Sequence, residues 1–302
     1  MSKPLLIAIT GPTASGKSVL AVDLALRLGT EIISADSRQV YRGMPVITAV
    51  PTEDERRGVR HHLLEELDPE EYFSASMFEQ EALERLRNIF SRKPVAIACG
   101  GSMMYVDALC EGIDDIPTVP DDIRSVVASE YSSLGIAPLL DELSEKDPEC
   151  FSRIDKANHK RVMHAVEICR TAGIPYSSLL GKPKPERPFR LLKFRLDMPR
   201  DVLFNRINRR VEEMIRHGAL EEAAQLYPKR HLNSLNTVGL KELFRFIGGE
   251  WDLATAVARI QKNTRVYAKK QVTWYKRSDA VIPVDALSSP LETILSAAAS
   301  LL

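Results

Sequence analysis

Short, mainly apolar runs recur in the first and last parts of this chain, separated by longer amphipathic segments. The runs span residues 5–9, 31–35, 94–98, 191–196 and 280–284. Bounded apolar runs of this length are typical of buried strands, and apolar residues recur at helical spacing between most of them. This order of elements predicts an α/β fold, with a parallel-sheet core and helices on both faces.

The middle of the chain lacks this alternation. Residues 113–122 are acidic and contain two prolines, residues 181–188 contain three prolines, and the sequence between them shows helical periodicity without a convincing strand. Proline-rich polar segments are typical of linkers. The sequence therefore predicts a small helical domain inserted into the α/β core, with domain bounds of 1–112, 113–188 and 189–302.

The run 191–196 differs from the other predicted strands because it contains Lys193 and Arg195 and is followed by Asp197. Central strands of a parallel sheet are buried on both faces and are normally apolar. We therefore expect this strand to lie outside the centre of the sheet.

Composition narrows the choice of partner and compartment. The 302 residues carry 41 basic and 41 acidic side chains, so any nucleic-acid surface must come from local clustering. The four cysteines form no C-x-x-C pair, which argues against a zinc knuckle or a disulfide framework and favours a reducing compartment. The first predicted strand follows Pro4 directly and leaves no room for a signal peptide. No apolar run approaches the ~20 residues of a membrane helix, so we expect a soluble, cytoplasmic protein that binds no membrane.

The most informative stretch is Gly11-Pro12-Thr13-Ala14-Ser15-Gly16-Lys17-Ser18, which matches the phosphate-loop pattern G-x-x-x-x-G-K-[ST]. It follows a predicted strand and begins a predicted helix, so several backbone N–H groups and the positive end of a helix point at one place. Lys17 adds a point charge there, and the Ser18 hydroxyl suits a Mg²⁺ ligand position. This stretch predicts a site for a di- or triphosphate.

Two polar side chains follow neighbouring predicted strands. Asp36 comes after the run 31–35, and Ser102 comes after Cys99-Gly100-Gly101 at the end of the run 94–98. Ligands of open α/β sheets bind at the carboxyl ends of the strands, so both side chains are expected near the phosphate loop. The alternatives are that Asp36 caps a turn and that residues 99–102 form an ordinary strand-to-helix turn.

The adjacent pair His61-His62 suggests a metal site at first sight. Two neighbouring side chains point in different directions on any regular element. The pair is therefore expected to have a structural or substrate-lining role.

The predicted helix over 201–217 places Arg206 and Arg210 one turn apart. On one interpretation these arginines face an anionic ligand. On the other they are solvated and paired with Glu212 and Glu213.

The segment 259–277 holds seven basic residues and no acidic residue, although the whole chain is neutral. As a helix it has one basic face, while Tyr267, Gln271 and Trp274 share the opposite face. It either contacts a polyanion or is an ordinary solvated helix, and the absence of acidic residues favours contact with phosphates.

An apolar strand that ends in a metal-binding Asp, as in P-loop NTPases, is hard to find apart from residues 32–36. This argues against an ATPase and favours phosphate binding for another chemistry. Several motifs in combination resemble the tRNA dimethylallyltransferase family. They are the phosphate loop, the stretch Ser34 to Met44, Cys99 to Ser102, Leu235 to Gly239 and Asn263 to Trp274.

The resemblance implies transfer of a dimethylallyl group from dimethylallyl diphosphate to N6 of the adenosine immediately 3′ of the tRNA anticodon. Residues 11–18 with Mg²⁺ would hold the diphosphate, Asp36 would accept the N6 proton, Ser102 would contact the reacting groups and Arg210 would steady the diphosphate charge. The positions implied to contact tRNA are Asp36, Ser37, Arg38, Gln39, Ser102, Arg124, Lys160, Arg161, His164, Thr237, Gly239, Lys241, Lys269, Lys270, Gln271, Thr273, Trp274 and Lys276.

Five positions depart from the family pattern. Ser102 replaces a threonine, Ile47 and Val50 replace a glycine and a lysine, and His164 and Lys270 replace arginines. These departures bear on the strength of tRNA binding and on turnover, and they leave the reaction class unchanged.

Three other functions compete with this interpretation. They are the same transfer to free adenine nucleotides, a P-loop kinase of a small metabolite with Asp36 as base, and an RNA-binding nucleotide switch. The helical insertion and the basic helix argue against free nucleotides, because a mononucleotide requires neither. Nothing in the sequence demands more than a monomer.

Overall fold

A computed structural model describes residues 3–278 and 280–301 of the chain. Within these residues, one sheet of six parallel strands has the order β3-β2-β4-β1-β5-β6. The predicted α/β fold with a parallel sheet is confirmed. The strands are β1 (Leu5–Thr10), β2 (Ile32–Ser34), β3 (His61–His62), β4 (Val95–Cys99), β5 (Arg190–Asp197) and β6 (Val281–Asp285).

Helices cover both faces of this sheet. Alternate residues of a strand point to opposite faces, and Leu6 and Ala8 of β1 belong to one buried cluster whereas Leu5, Ile7 and Ile9 belong to another. The helices of residues 1–111 and 186–302 are α1 (Lys17–Leu28), α2 (Pro45–Thr48), α3 (Glu53–Arg56), α4 (Ala75–Phe90), α5 (Met103–Glu111), α10 (Arg200–Arg216), α11 (Ala219–Leu226), α12 (Leu240–Ile247), α13 (Leu253–Tyr275) and α14 (Pro290–Ala299).

The chain divides into two compact units, one formed by residues 1–111 and 186–302 and the other by residues 112–185. The second unit is helical. Its core contains Val127, Leu143 and Val162, each fully buried. Its helices are α6 (Asp121–Leu134), α7 (Ala137–Lys146), α8 (Pro148–Arg153) and α9 (His159–Ala172).

The charged strand is not an edge strand, although it lies only one strand in from the edge of the sheet. Strand β5 lies inside the sheet, with β1 on one side and β6 on the other. Its buried charges are neutralised locally, because Lys193 Nζ donates to Asp107 at 2.8 Å and Arg195 donates twice to Asp197, at 2.8 and 2.7 Å. Buried charges are tolerated where they are paired and hydrogen-bonded.

The histidine pair forms the edge strand β3, which the sequence did not predict. His62 is buried and its Nε2 lies 2.8 Å from the Glu31 carboxylate, in keeping with a structural role. Within residues 3–278 and 280–301, no group of three His, Cys, Asp or Glu side chains is placed to hold a metal ion. Nor is any helix in these ranges both long and apolar enough to cross a membrane.

Candidate active site

The phosphate loop connects β1 to α1 at the carboxyl edge of the sheet. Gly11 has φ +139°, and a Cβ there would lie 3.0 Å from the carbonyl oxygen of Leu196 at the end of β5. Gly16 has φ +93° and caps α1. Both positions therefore need glycine, one for close approach to β5 and the other for a left-handed backbone at the start of the helix.

The loop carries a partly desolvated positive charge. Lys17 Nζ donates to the Pro12 carbonyl at 2.6 Å. Burial lowers the pKa of Lys17 from 10.5 to about 8; Arg210 also lowers it, while Cys99 and Asp36 act in the opposite direction. A desolvated lysine beside an arginine gains stability when an anion binds.

Two arginines of α10 complete the positive side of the site. Burial lowers the pKa of Arg210, and the nearby Asp36 carboxylate acts against this shift. Arg206 Nη1 lies 4.0 Å from the place that a Cβ on Gly16 would occupy. The sequence left the arginines of this helix as either ligand-facing or solvated, and the structure places both beside the phosphate loop.

Asp36 follows β2 and lies near these positive groups. Its Oδ1 accepts hydrogen bonds from the backbone N–H groups of Arg38 at 2.9 Å and Gln39 at 3.3 Å. Asp36 therefore caps a turn, as one of the two interpretations of the sequence expected, and it uses only one carboxylate oxygen to do so. The same carboxylate interacts electrostatically with Lys17 and Arg210, which places it in the charged site as well.

Ser102 lies next to the Asp36 turn and is 7% exposed. Its Oγ accepts from the N–H of Ser37 at 2.8 Å and lies 3.2 Å from the Ser37 hydroxyl. The Tyr267 hydroxyl interacts with Ser102, and desolvation of this hydroxyl raises the pKa of Tyr267 to about 12. The tyrosine therefore stays protonated at neutral pH and is able to donate to the serine.

The predicted site residues did not include Tyr267 or Arg206. The signal for Tyr267 was its place on the non-basic face of the 259–277 segment, together with Gln271. The signal for Arg206 was its position one turn before Arg210.

Glycines allow the segments that follow β2 and β4 to touch. A Cβ on Gly100 would lie 2.0 Å from the Ala35 carbonyl oxygen, and a Cβ on Gly101 would lie 2.4 Å from Nε2 of Gln271. The residue before Asp36 therefore contacts the residues before Ser102 directly. An ordinary strand-to-helix turn would not require this approach.

Four residues that were expected to contact tRNA have side chains engaged inside the protein. Arg38 donates to the carbonyls of Asn233 and Ser234, and Gln39 donates to those of Thr48 and Ala49. The indole of Trp274 donates to Asp107 at 2.6 Å, and Gln271 is 2% exposed with its amide bonded to two loops.

The side chain of Gln271 is therefore buried, unlike those of the exposed lysines of the same segment. Gly239 is also buried, and its N–H donates to Glu242 at 2.8 Å. At such positions the motif preserves packing around the site.

The other predicted tRNA-contacting residues divide by exposure. On α6 Arg124 is half-buried, and Ser37 and Thr237 are half-buried in loops. The exposed ones in the unit of residues 112–185 are Lys160, Arg161 and His164, and those in the other unit are Lys241, Lys269, Lys270, Thr273 and Lys276.

The phosphate loop also contains polar groups suited to a ligand and a cation. Ser15 Oγ is buried and has no hydrogen-bond partner among the described residues. Ser18 is exposed at the start of α1, adjacent to Lys17. Since no trio of acidic or histidine ligands lies in the described ranges, a Mg²⁺ ion at Ser18 would take its remaining ligands from phosphate oxygens and water.

Fold and site together define a P-loop α/β protein in which the phosphate loop and two arginines lie beside a carboxylate and a buried serine. The model of the IPP transferase family matches residues 39–278. The chain belongs to this family, and its curated relatives are named tRNA dimethylallyltransferases.

Two of these relatives come from related bacteria. The chain is 49% identical over 276 residues to tRNA dimethylallyltransferase 2 of Parabacteroides distasonis, covering 91% of this chain and 92% of that protein. It is 47% identical over 278 residues to tRNA dimethylallyltransferase 1 of Bacteroides thetaiotaomicron, covering 92% of this chain and 90% of that protein.

Solved structures agree with this assignment. The full-length tRNA isopentenylpyrophosphate transferase of Bacillus halodurans matches with a TM-score of 0.73 and 35% identity, over 99% of this chain and 96% of that chain. A eukaryotic dimethylallyltransferase, described as acting on tRNA, matches with a TM-score of 0.83 and 26% identity, over 98% of this chain and 79% of that chain.

Proposed function

We propose that this protein transfers the dimethylallyl group of dimethylallyl diphosphate to N6 of the adenosine immediately 3′ of the anticodon in tRNA. The N6 lone pair forms a bond to the allylic C1, and the C1–O bond breaks with its electron pair leaving on the diphosphate. The N6 proton passes to Asp36. The observation that supports this most strongly is the position of Asp36, with Ser102 next to its turn, beside the positive charges of Lys17 and Arg210.

Gly11, Pro12, Thr13, Ala14, Ser15, Gly16, Lys17 and Ser18 bind the diphosphate in this proposal. Charge develops on the leaving diphosphate in the transition state, and the positive groups around the loop stabilise it. Removing one preorganised donor of this kind typically costs about 3 kcal/mol of barrier. Arg210 has this role, and Arg206 is added to it by its position beside Gly16.

Asp36 and Ser102 handle the amine. One Asp36 oxygen is held by the turn at residues 38 and 39, which fixes the carboxylate plane while the other oxygen accepts the proton. Ser102 orients the reacting groups. Holding amine and allylic carbon in line removes much of the entropic cost of a bimolecular reaction.

Mg²⁺ is the proposed cofactor, and the Ser18 hydroxyl would help to hold it. When bound, the ion would supply charge neutralisation on the phosphate oxygens. The exposed Ser18 beside Lys17 fits this arrangement.

We propose RNA contacts in each of the two units, from Lys160, Arg161 and His164 on α9 in one unit and from Lys269, Lys270 and Lys276 at the end of α13 in the other. These residues neutralise phosphates. The target base must leave its stack to reach Asp36, at a cost of roughly a few kcal/mol. The names of the relatives, which specify tRNA as substrate, support this choice of acceptor. We propose that the protein acts in the cytoplasm, where tRNA is present.

A double-label experiment tests the proposal. The protein is incubated with dimethylallyl diphosphate labelled in the allyl group, or with ATP labelled in the γ-phosphate, and with tRNA or AMP as acceptor. Label from the isoprenoid entering tRNA alone supports it. Label entering AMP would establish the free-nucleotide transferase, and γ-phosphate entering a small acceptor would establish a kinase.

A further inference from the structure

Gln271 is a buried amide on helix α13 that lies between two loops of the site. It is 2% exposed. Its Oε1 accepts from the N–H of Thr13 in the phosphate loop at 2.9 Å, and its Nε2 donates to the carbonyl of Gly101 at 2.8 Å. One side chain therefore bonds the diphosphate-binding loop and the loop that carries Ser102.

The space around Gln271 is filled. A Cβ on Gly101 would lie 2.4 Å from Nε2 of Gln271 and 3.5 Å from the Gly11 carbonyl, and a Cβ on Gly100 would lie 2.0 Å from the Ala35 carbonyl. The contacts run without a gap from the residue before Asp36, through the two glycines, to the amide and the phosphate loop. A shift of the amide would change the separation of the two halves of the site.

A primary amide suits this place because it presents one acceptor and one donor in a single plane. A carboxylate accepts from Thr13 but repels the Gly101 carbonyl. An apolar side chain of the same length satisfies neither group, and buried backbone groups are normally paired.

We propose that Gln271 is a positioning residue, which holds the phosphate loop and the Ser102 loop at the separation required for group transfer and ties both to α13. This inference rests on the proposed function. It assigns Gln271 to the geometry of the reaction and removes it from the RNA surface.

The first test compares Gln271→Glu with the parent protein in single-turnover transfer across pH. At high pH the introduced carboxylate repels the Gly101 carbonyl, whereas its protonated form can donate to it as the amide does. Burial raises the pKa of such a carboxyl group, so protonation falls within an accessible range. The rate of the variant relative to the parent should rise by about tenfold per pH unit on acidification above that pKa.

Two variants serve as controls. Gln271→Met keeps the length and loses both hydrogen bonds, so it should be about 10- to 100-fold slower at every pH. Gln261→Glu makes the same chemical change on the same helix, where the side chain is half-buried and makes contacts of 3.4 Å with Asn208 and Glu212. Its relative rate should stay close to one and independent of pH.

Affinity for tRNA separates positioning from RNA contact. All three variants should bind tRNA within about twofold of the parent, because a buried side chain makes no contact with phosphates. Weakened tRNA binding with a normal single-turnover rate would overturn the proposal and return Gln271 to the RNA surface. A flat relative rate for Gln271→Glu, or parental rates for both Gln271 variants, would overturn it too.

Hydrogen exchange of the parent protein provides a measurement that needs no variant. The Thr13 amide should be protected, because its acceptor is a buried side chain. If the Thr13 amide exchanged at the rate of an exposed loop, the proposed positioning role of Gln271 would be overturned, even if the Gln271 variants did not fold. If the parent protein did not modify tRNA, the proposed function would be rejected instead. The exchange result would still show whether Gln271 holds the phosphate loop.

Discussion

In the proposed reaction, the Asp36 carboxylate serves both structure and chemistry. One oxygen caps the turn that begins at residue 36, through the N–H groups of Arg38 and Gln39. This hydrogen bonding sets the orientation of the second oxygen relative to the phosphate loop. A residue that holds its own turn in this way is preorganised as a proton acceptor, because its carboxylate needs little rearrangement during the reaction.

Replacing Asp36 with asparagine tests this role. Asn can still accept the turn hydrogen bonds through its carbonyl oxygen, so the loop should keep its shape, but it cannot take a proton at neutral pH. Single-turnover transfer should fall by about 100-fold or more, while tRNA affinity stays nearly unchanged. A large loss of tRNA binding with a normal single-turnover rate would reject the general-base role.

The protonation of Lys17 should make diphosphate binding depend on pH. Its pKa in the free protein is lowered to about 8 by burial, and the charged form is the one that binds an anion. Raising the pH through about 8 therefore removes the charge before the ligand binds, so the Kd for inorganic diphosphate should increase between about pH 7 and pH 9.

The ionisation of diphosphate itself also changes over this range. Lys17→Met serves as the control, because it sees the same ligand ionisation without the lysine. Calorimetric titration should show a steeper loss of affinity for the parent than for the variant. If the Kd changed with pH in the same way in both proteins, Lys17 would keep its proton over this pH range and would not cause the loss of affinity.

At the scale of elements, the site depends on the ends of β2 and β4 meeting through glycine. Gly100 faces backbone, the Ala35 carbonyl, whereas Gly101 faces the end of the Gln271 side chain. Backbone cannot move aside as a side chain can. The two neighbouring glycines should therefore respond differently to the same substitution.

Gly100→Ala should lower the free energy of unfolding by about 1–3 kcal/mol, the usual cost of overpacking a tight site. Gly101→Ala should be less costly, since the Gln271 amide can shift at the expense of its hydrogen bonds. Denaturant unfolding of the two variants beside the parent measures the difference. Equal stability of Gly100→Ala and the parent would show that the ends of β2 and β4 are not held in contact.

Helix α13 has two distinct sides. Gln271 on the inner side bonds the phosphate loop, while Lys269 and Lys270 are exposed. Lys269 Nζ also lies 5.6 Å from the centre of the ring of Phe204 on α10, so its ammonium group is near an aromatic face. Lys269 and Lys270 can therefore contact phosphates without disturbing the inner side of the helix.

Lys269→Ala should weaken tRNA binding and reduce the magnitude of the salt slope by roughly one unit. Lys93→Ala is a suitable control, because Lys93 precedes β4 at the opposite edge of the sheet and donates to the Gly29 carbonyl. The control should leave the slope unchanged. An unaltered slope for Lys269→Ala would mean that this face is simply solvated.

For the whole molecule, the strand–loop–helix order of the first 28 residues and the strand ends at Asp36 and Ser102 could be predicted from sequence. Both depend on local patterns, an apolar run and the glycine or polar residues that follow it. The interior place of β5 could not be predicted. Lys193 is neutralised by Asp107 and Glu111 on α5, and no local pattern connects residues so far apart in the chain.

The same limit applies to the site. The sequence motif around residues 269–276 does not distinguish exposed Lys269 from buried Gln271, because the distinction depends on packing against the phosphate loop. Arg206 was one of several arginines on an amphipathic helix until the fold placed it beside Gly16. Motifs identified the chemistry, and long-range packing decided which members of each motif face the ligand.

The phosphate loop is proposed to hold a diphosphate that leaves an isoprenoid, with a tRNA adenosine as acceptor. Family membership and the position of Asp36 beside Lys17 and Arg210 both support it. The most direct measurement is mass mapping of nuclease-digested tRNA after incubation with the protein, Mg²⁺ and dimethylallyl diphosphate. One adenosine, immediately 3′ of the anticodon, should gain a dimethylallyl group on N6. Unmodified tRNA, while the same protein prenylates free adenine nucleotides or transfers phosphate from ATP, would contradict the account.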